Sequence, residues 1–206
     1  GPLSGTGAIC SGRTAITTLW PTAYPQSLIA SAHVGGELAH KLKFAGWDFV
    51  IIEGESAKPI YLYINNDKVE FRDASAIWGQ GTYRSASMLA QETRPDVSIG
   101  TIGPAGENGV PMSNMMVDRS HSAGIGSIMG KKKLKALVVW GDGAVHIAAS
   151  PKQWEELVDQ HRSILGAHTQ SIVPRNPSPL HEYYTPASRW SAYPGAVWGA
   201  ANPPVT

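Results

Sequence analysis

Cysteine is nearly absent from this sequence, since Cys10 is the single one among 206 residues. One thiol excludes an internal disulfide framework and any cysteine-only metal cluster that this chain would hold alone. Cys10 fits a small buried residue better than a nucleophile, because no neighbouring base can be identified. Long apolar runs are also lacking, since none approaches the roughly 18 residues of a membrane helix, and no signal-peptide pattern is present. We therefore expect a soluble, cytoplasmic protein without a membrane span.

Charge is scarce as well. Charged residues make up 16% of the chain, against about 25% in an average globular protein. The net charge of +1 provides no overall field that would favour nucleic acid or a membrane surface. A weakly charged surface rich in glycine suits a protein that other polypeptide covers. Because the chain also opens with Gly in what resembles mid-chain sequence, we expect a fragment or a subunit of a larger assembly.

The sequence does contain an approximate internal repeat. The residues GPAGEN at 103–108 resemble GPLSGT at 1–6. Each is followed by a His with nearby glycines, HVGG at 33–36 and HSAGIG at 121–126, then by a Leu-Lys step and a short apolar run that ends in glycine. This order predicts an internally duplicated chain. We expect a pseudo-symmetric platform for a ligand with two similar halves.

Hydrophobic periodicity and turn residues predict the local structure. We expect strands at 14–19, 49–53, 97–102 and 135–140, a hairpin of 60–64 with 68–72, and helices at 36–45, 85–93 and from 150 to about 165. Prolines and aromatics become frequent from about Pro174, so we place a domain boundary near 145–150. In the tail, a pocket lining and an interface are both open interpretations of His181, Glu182, Tyr183, Tyr184 and Trp190.

Several residues are candidates for chemistry. Gly35-Gly36 and Gly124-x-Gly126 each precede a predicted helix, where backbone N–H groups bind phosphate, although tight turns explain them equally well. Arg13 is either an anion clamp or one half of a surface salt bridge. His33 and His121 fit a metal or acid/base pair less well than loop residues that contribute only backbone. Residues 107–108 (EN) suggest a capping pair, and the lysines at 131–133 a solvated face.

Six motifs in register now identify a resemblance. They are GPLSGT at 1–6, SGR at 11–13, LKFAG at 42–46, RDAS with IWG at 72–79, GPAGEN at 103–108 and MGxKxLK at 129–135. Together they resemble the N-terminal domain of the aldehyde ferredoxin oxidoreductase family, the tungsten-pterin enzymes. The resemblance covers residues 1–148, lacking the family's first residues, and leaves 149–206 as the truncated start of a second, mostly helical domain.

The resemblance implies an α+β fold that is internally duplicated, with a pseudo-two-fold pair of β-sheets and short helices forming a platform for the pterin cofactor. It implies that one tungsten or molybdenum lies on this platform, held by the dithiolenes of two pterins. It implies a magnesium ion between the pterin phosphates that also takes the backbone carbonyls of His33 and Ser122. It places Arg13 between a pterin and a [4Fe–4S] cluster whose ligands lie outside this segment. The cofactor-binding positions that it implies are Arg13, His33, Val34, Gly35, Gly36, Ser122, Ala123, Gly124 and Gly126. Catalytic residues remain unassigned, because the family's acid/base groups lie in later domains.

Two departures from the family pattern bear on this site. The usual ANSGG is AHVGG at 32–36, and the usual RAAGRGGVG is shortened to HSAGIG at 121–126, with the loss of an arginine. Carbonyl ligands tolerate the first change. The second alters the expected phosphate contacts of the second pterin.

The resulting hypothesis is an oxidoreductase that converts aldehydes to carboxylates and passes electrons through the cluster to ferredoxin. Its expected partners are the remaining domains or subunits, ferredoxin or a similar iron–sulfur protein, and a small-molecule substrate. Two alternatives stay open: the active-site subunit of a benzoyl-CoA reductase of the same family, and a non-catalytic cofactor-binding scaffold.

Overall fold

The structure is a computed structural model that describes residues 3–8, 11–23, 25–26, 28–148 and 150–172. The chain divides into two compact units, Gly1–Ala148 and Ala149–Thr206. The first unit is a mixed α+β structure with a two-stranded and a six-stranded sheet. The two sheets differ in size, and the internal duplication stays a prediction.

The small sheet is an antiparallel pair of β1 (Thr14–Leu19) and β2 (Ile29–Val34). Its register runs from Thr14 opposite Val34 to Leu19 opposite Ile29. The strand predicted from the β-branched run at 14–19 is confirmed as β1. The strand β2 was not predicted, because its small residues carry little periodic signal, and it places His33 in a strand rather than in a loop.

The large sheet has the order β4-β3-β8-β5-β6-β7. Its strands are β3 (Ile60–Asn65), β4 (Lys68–Asp73), β5 (Ser98–Ile102), β6 (Met115–Val117), β7 (His121–Ala123) and β8 (Leu134–Trp140). The central strand β8 runs parallel to β3 and antiparallel to β5. The predicted hairpin is confirmed as β3 and β4, and its turn uses the left-handed conformation that asparagine tolerates, with φ of 54° at Asn66.

In its described residues, the first unit has four helices: α1 (Leu38–Phe44), α2 (Thr82–Glu92), α3 (Pro104–Glu107) and α4 (Gly126–Lys131). The first two confirm predicted helices, and both glycine turns precede a helix as expected. In the second unit, α5 (Pro151–Ile172) confirms the helix expected from 150 and extends further. No helix in the described ranges is long and apolar enough to cross a membrane. The aromatic tail and Cys10 lie outside the described residues.

The central strands of the large sheet are buried on both faces, whereas the edge strand β4 is mostly exposed. Leu62 and Ile64 point into one core, with Met115, Ile125 and Val139. The alternate residues Tyr61 and Tyr63 point into a second core formed with α2. This two-sided burial explains why β3 reads as a continuous apolar run instead of an alternating one.

The prediction of a strand at 49–53 is wrong. This segment joins neither sheet, and its side chains alternate between the core and solvent. Val50 and Ile52 pack against the first core, whereas Phe49 and Ile51 are 71% and 73% exposed. The run of four apolar residues at 49–52 predicted a buried strand and did not show this alternation. A β-strand also requires a neighbouring strand to pair with, which a local run does not reveal.

Candidate functional site

Arg13 lies at the end of the small sheet. Because Thr14 pairs with Val34, the residue before β1 comes beside the last residues of β2. Its guanidinium Nη1 donates a hydrogen bond to the carbonyl oxygen of His33 over 3.4 Å. Arg13 is exposed and makes no ion pair with another described residue. The salt-bridge alternative is therefore not realised within the described part of the chain, and the arginine contacts the first of the two predicted carbonyls.

The first glycine turn follows β2 directly and has no room for side chains. A Cβ atom at Gly35 would collide with the ring of His121, 2.8 Å from Nε2. At Gly36, where φ is +92°, a Cβ would lie 2.7 Å from Oδ2 of Asp118. The two glycines therefore allow the segment at 117–121 to approach this turn closely.

The carboxylate of Asp118 lies at the amino terminus of α1. Its Oδ2 accepts a hydrogen bond from the backbone N–H of Glu37 at 2.7 Å. A carboxylate at this position satisfies one of the unpaired amides of the first helical turn and interacts favourably with the helix dipole. The amide of Glu37 is thus already paired with an anionic group from within the chain.

The second glycine turn connects β7 with α4. The backbone N–H of Gly126 donates to the carbonyl of Ser113 at 3.0 Å. A Cβ at Gly126 would lie 2.9 Å from the carbonyl carbon of Ser113, whereas a Cβ at Gly124 would make an ordinary 3.5 Å contact with Trp20. Gly126 is consequently needed for packing, while Gly124 has space around it.

The fold brings the two predicted halves of the site together. The His121 ring covers Gly35, and Ser120 Oγ lies 2.9 Å from Nδ1 of the same ring. The predicted residues 33–36 therefore adjoin the strand that carries Ser122 and Ala123, and Arg13 lies beside them. His33 and Ser122 are exposed, whereas Val34, Gly35, Ala123 and Gly126 are buried. Sequence reasoning named His121 but missed its contact with Gly35.

Two buried hydroxyls next to this region lack hydrogen-bond partners among the described residues. They are Oγ1 of Thr14, the neighbour of Arg13, and Oγ of Ser127, the neighbour of Gly126. The described residues contain no group of three or more His, Cys, Asp or Glu side chains that could hold a metal ion. The groups that this region offers to a ligand are backbone atoms, a few hydroxyls, the imidazoles of the exposed His33 and His121, and one guanidinium.

A mostly apolar cavity of about 390 Å³ opens elsewhere on the first unit. It lies between β1, α1 and the segment at 47–52, and its lining includes Ile16, Leu42, Trp47 and Phe49. Arg13 and Thr14 also line it, so one end of the cavity adjoins the small sheet's tip. Its apolar walls differ from the polar backbone of the glycine turns, and no sequence motif indicated it.

Sequence reasoning also missed a buried ion pair. Lys135 and Glu107 side chains are 0% and 3% exposed and are hydrogen-bonded to each other. Lys135 Nζ also donates to the carbonyl of Gln80 at 2.8 Å, and Glu107 Oε2 accepts from the N–H of Gly79 at 2.7 Å. Burial lowers the pKa of Lys135, and the adjacent Glu107 opposes that shift. The pair therefore fixes the loop before α2 instead of serving an exposed site.

Two minor predictions meet different outcomes here. Asn108 does cap α3, since its Nδ2 donates to the carbonyl of Pro104 at 2.8 Å. The lysines at 131–133 are not simply a solvated face, because Lys132 Nζ donates to the carbonyl of Gly54 and Lys133 Nζ to that of Ala57. The basic run thus holds the loop that precedes β3.

Comparison with known proteins identifies the family. Residues 1–141 match the family described as aldehyde ferredoxin oxidoreductase, N-terminal domain. The chain belongs to this family, and the resemblance read from the sequence motifs is confirmed.

The relatives are much longer proteins. The chain is 44% identical over 160 residues to a tungsten-containing aldehyde ferredoxin oxidoreductase of Pyrococcus horikoshii, covering 75% of the chain and 26% of the relative. It is 34% identical over 131 residues to the WOR-like subunit of an aliphatic sulfonate oxidoreductase of Pyrococcus furiosus, covering 56% of the chain and 21% of the relative. The chain thus spans about a quarter of the curated relatives that it matches.

A solved structure is also similar. It is the active site complex BamBC of benzoyl coenzyme A reductase in complex with 1,5-dienoyl-CoA. The match has a TM-score of 0.77 and 33% sequence identity, and it covers 91% of this chain and 29% of the other.

Proposed function

We propose that residues 1–148 form the cofactor platform of a tungsten or molybdenum bis-pterin oxidoreductase that oxidises aldehydes to carboxylates. One observation carries this proposal: the tip of the small sheet, the first glycine turn and the strand leading to the second glycine turn meet at Gly35 and His121. These are the segments to which we assign the cofactor. In the proposed enzyme, electrons leave through a [4Fe–4S] cluster, ligated outside this segment, to ferredoxin.

The residues present fit a large ligand held mainly by backbone. At the first turn the space beside Gly35 and Gly36 is filled by His121 and Asp118, so the residue open to a ligand there is the exposed His33. Oxygen ligands are those that Mg²⁺ prefers, so the carbonyls of His33 and Ser122 are suited to the proposed magnesium ion. Arg13 would add charge-assisted hydrogen bonds to an anionic group. When bound, the metal and its pterins supply the redox chemistry, and this chain positions them.

Within this proposal, the internal repeat of the sequence corresponds to two binding sites for the two pterins. Two pterins would occupy two related seats, one at 33–36 and one at 122–126, with His33 and Ser122 in equivalent positions. We assign residues 149–206 to the start of a second domain, and we propose a cytoplasmic enzyme completed by further domains or subunits. The sparse surface charge and the short coverage of the relatives support such completion.

A second chemistry has specific support. The similarity to the active site complex of benzoyl coenzyme A reductase covers 91% of the chain at 33% identity. The chain therefore fits an aromatic acyl-CoA reductase subunit as well as an aldehyde oxidoreductase. A non-catalytic scaffold that binds the cofactor is the third candidate, since the described residues contain no metal-ligating cluster.

Metal and cofactor analysis of the natively purified enzyme tests the proposal. We expect tungsten or molybdenum by mass spectrometry and a fluorescent pterin after oxidation. Absence of both metals and of pterin would overturn the assignment to a bis-pterin enzyme. If the cofactor is present, turnover of aldehydes with ferredoxin supports the aldehyde oxidoreductase, and turnover of benzoyl-CoA supports the acyl-CoA reductase. If neither substrate is turned over, the result supports the non-catalytic scaffold.

The Arg13→Lys variant tests whether this arginine contributes to the proposed cofactor-binding site. Lysine keeps the charge but loses the planar fork of donors, so we expect less bound cofactor or slower electron transfer with the fold unchanged. Arg84→Lys, an exposed position on α2, is the matched control and should behave as wild type. Wild-type cofactor content and electron-transfer rate in Arg13→Lys would show that this arginine does not contact the cofactor.

A further inference from the structure

Asp118 joins three separate elements through one carboxylate. Oδ1 accepts hydrogen bonds from the N–H of Ile99 and from Ser98 Oγ, both at 2.9 Å. Oδ2 accepts from the same hydroxyl at 2.9 Å and from the N–H of Glu37 at 2.7 Å. The carboxylate thus connects the start of β5, the start of α1 and its own turn between β6 and β7.

The turn that carries Asp118 is held in an uncommon conformation. Asp118 and Arg119 have φ values of 48° and 62°, in the left-handed region that few residues other than glycine adopt. The N–H of Asp118 donates to the carbonyl of Ile99 at 2.9 Å, and Arg119 Nη2 donates to Ser87 Oγ at 3.0 Å. Both the backbone and the side chains of this turn are therefore tied to the surrounding structure.

The same turn supports both glycines of the first glycine turn. The carboxylate of Asp118 fills the space beside Gly36, and three residues later the ring of His121 covers Gly35. From His121 the chain continues directly into Ser122, which carries the second proposed magnesium carbonyl. One short segment, residues 118–122, consequently sets the separation between the two proposed pterin seats.

We propose that Asp118 is a positioning residue that fixes the two glycine turns relative to each other for cofactor binding. This inference rests on the proposed function, because the seats are those of the proposed bis-pterin cofactor. Asp118 does not contact the cofactor in this proposal. It acts by holding the backbone of Gly36 and Glu37 against the segment that leads to Ser122.

The test uses the complete, cofactor-loaded enzyme and its Asp118→Asn variant. Asparagine keeps the size of the side chain, but its NH₂ group is a donor and cannot accept from both Glu37 and Ile99. Two controls separate positioning from general stability. Leu89→Ala removes a fully buried side chain from the second core, and Asp67→Asn removes a carboxylate from the exposed hairpin turn.

Two measurements are made on each protein. The first is the rate at which tungsten or molybdenum and pterin are lost during anaerobic incubation. We expect loss about 10-fold faster in Asp118→Asn than in Leu89→Ala at matched fractions of folded protein, in line with the 10–100-fold effects of outer-shell partners at metal sites. The second is hydrogen exchange at the Glu37 amide of the cofactor-free enzyme, which should accelerate in Asp118→Asn and in neither control.

The outcomes distinguish the two proposals. Equal rates of cofactor loss in Asp118→Asn and Leu89→Ala would overturn the role of Asp118 and leave the proposed function intact. Wild-type enzyme without tungsten, molybdenum and pterin would overturn the proposed function, and the positioning role with it. If Asp118→Asn does not fold, Ser98→Ala removes one donor to the carboxylate and should give a smaller acceleration in the same direction; no acceleration would refute the proposal.

Discussion

Removing one partner of the Lys135–Glu107 pair should be among the most costly polar substitutions in the first unit. In Glu107→Gln the ammonium of Lys135 stays buried, with 0% exposure of its side chain, but loses its anion. Breaking a buried ion pair in this way typically costs about 3–5 kcal/mol. Glutamine still offers an oxygen to the N–H of Gly79, so the loss is mainly that of charge compensation. Since domains are stable by only about 5–15 kcal/mol, this is a large part of the total.

Urea unfolding of the 206-residue chain at neutral pH, followed by circular dichroism, measures the effect. The matched control is Glu156→Gln, because Glu156 and Lys152 form an exposed pair at 4.0 Å on α5. Exposed pairs of this kind contribute about 0.5 kcal/mol or less. A loss in Glu107→Gln no larger than that of Glu156→Gln would refute the inference that burial makes the first pair indispensable.

A double variant checks the origin of the cost. In Lys135→Met with Glu107→Gln neither charge remains, so the penalty for an unpaired buried ion disappears. We expect this protein to be more stable than Glu107→Gln alone, with a residual loss of about 1 kcal/mol for the unsatisfied carbonyl of Gln80. A double variant that is less stable than the single one would indicate that Lys135 contributes chiefly through packing.

The pH dependence gives an independent test. Burial lowers the pKa of Lys135 below its ordinary 10.5. Between the lowered pKa and that value, the unfolded chain binds a proton that the folded chain does not, so stability rises with pH. Without Glu107 the pKa falls further and the window widens toward neutral pH. The stability difference between wild type and Glu107→Gln should therefore shrink as the pH is raised toward 10.5.

Three further predictions concern other parts of the first unit. Burial, followed by the hydrogen bond with Glu92, raises the pKa of Tyr61 to about 12. The contribution of Tyr61 to stability is therefore complete below pH 10 and is lost as the pH rises toward 12. Urea unfolding across this range should show a smaller decline in stability for Tyr61→Phe than for wild type. The hydrogen bond from Trp140 lowers the pKa of Asp96, so an NMR titration of Trp140→Phe should find that pKa nearer 3.8. Gly141→Ala would place a Cβ against the backbone that ends α1, and thermal unfolding should show a loss of about 1–3 kcal/mol or more.

Local sequence patterns predicted those elements whose structure is decided locally. The strand β1 follows from its β-branched run, and the β3–β4 hairpin follows from two strand-like runs joined by turn residues that accept positive φ. The strands β6 and β7 have only three residues each, and they exist because neighbouring strands pair with them. The segment at 49–53 shows the converse, since it has a strand-like pattern but no strand beside it. Pairing is a tertiary property that periodicity alone does not contain.

The candidate site was predictable to a different extent. Family resemblance supplied the positions of Arg13, His33 and Ser122, because motif order is preserved in the sequence. The contacts that support those positions were not predictable, since Glu37 and Asp118 are 81 residues apart in the sequence. Lys135 gave one faint signal, a charged residue inside an apolar strand, but its partner Glu107 lies 28 residues away.

The structure also explains how this chain can depart from the family pattern at its proposed cofactor seats. A site built from backbone carbonyls depends on the path of the main chain, so the exposed His33 can replace another side chain without altering the ligand atoms. The path itself depends on side chains that lie behind the seat, with Asp118 holding the first turn and His121 covering Gly35. Substitutions that face the cofactor should thus be better tolerated than substitutions behind it. Since the shortened second loop lacks the family's arginine, we expect cofactor binding there to rest on backbone groups and to depend more strongly on the spacing that residues 118–122 set.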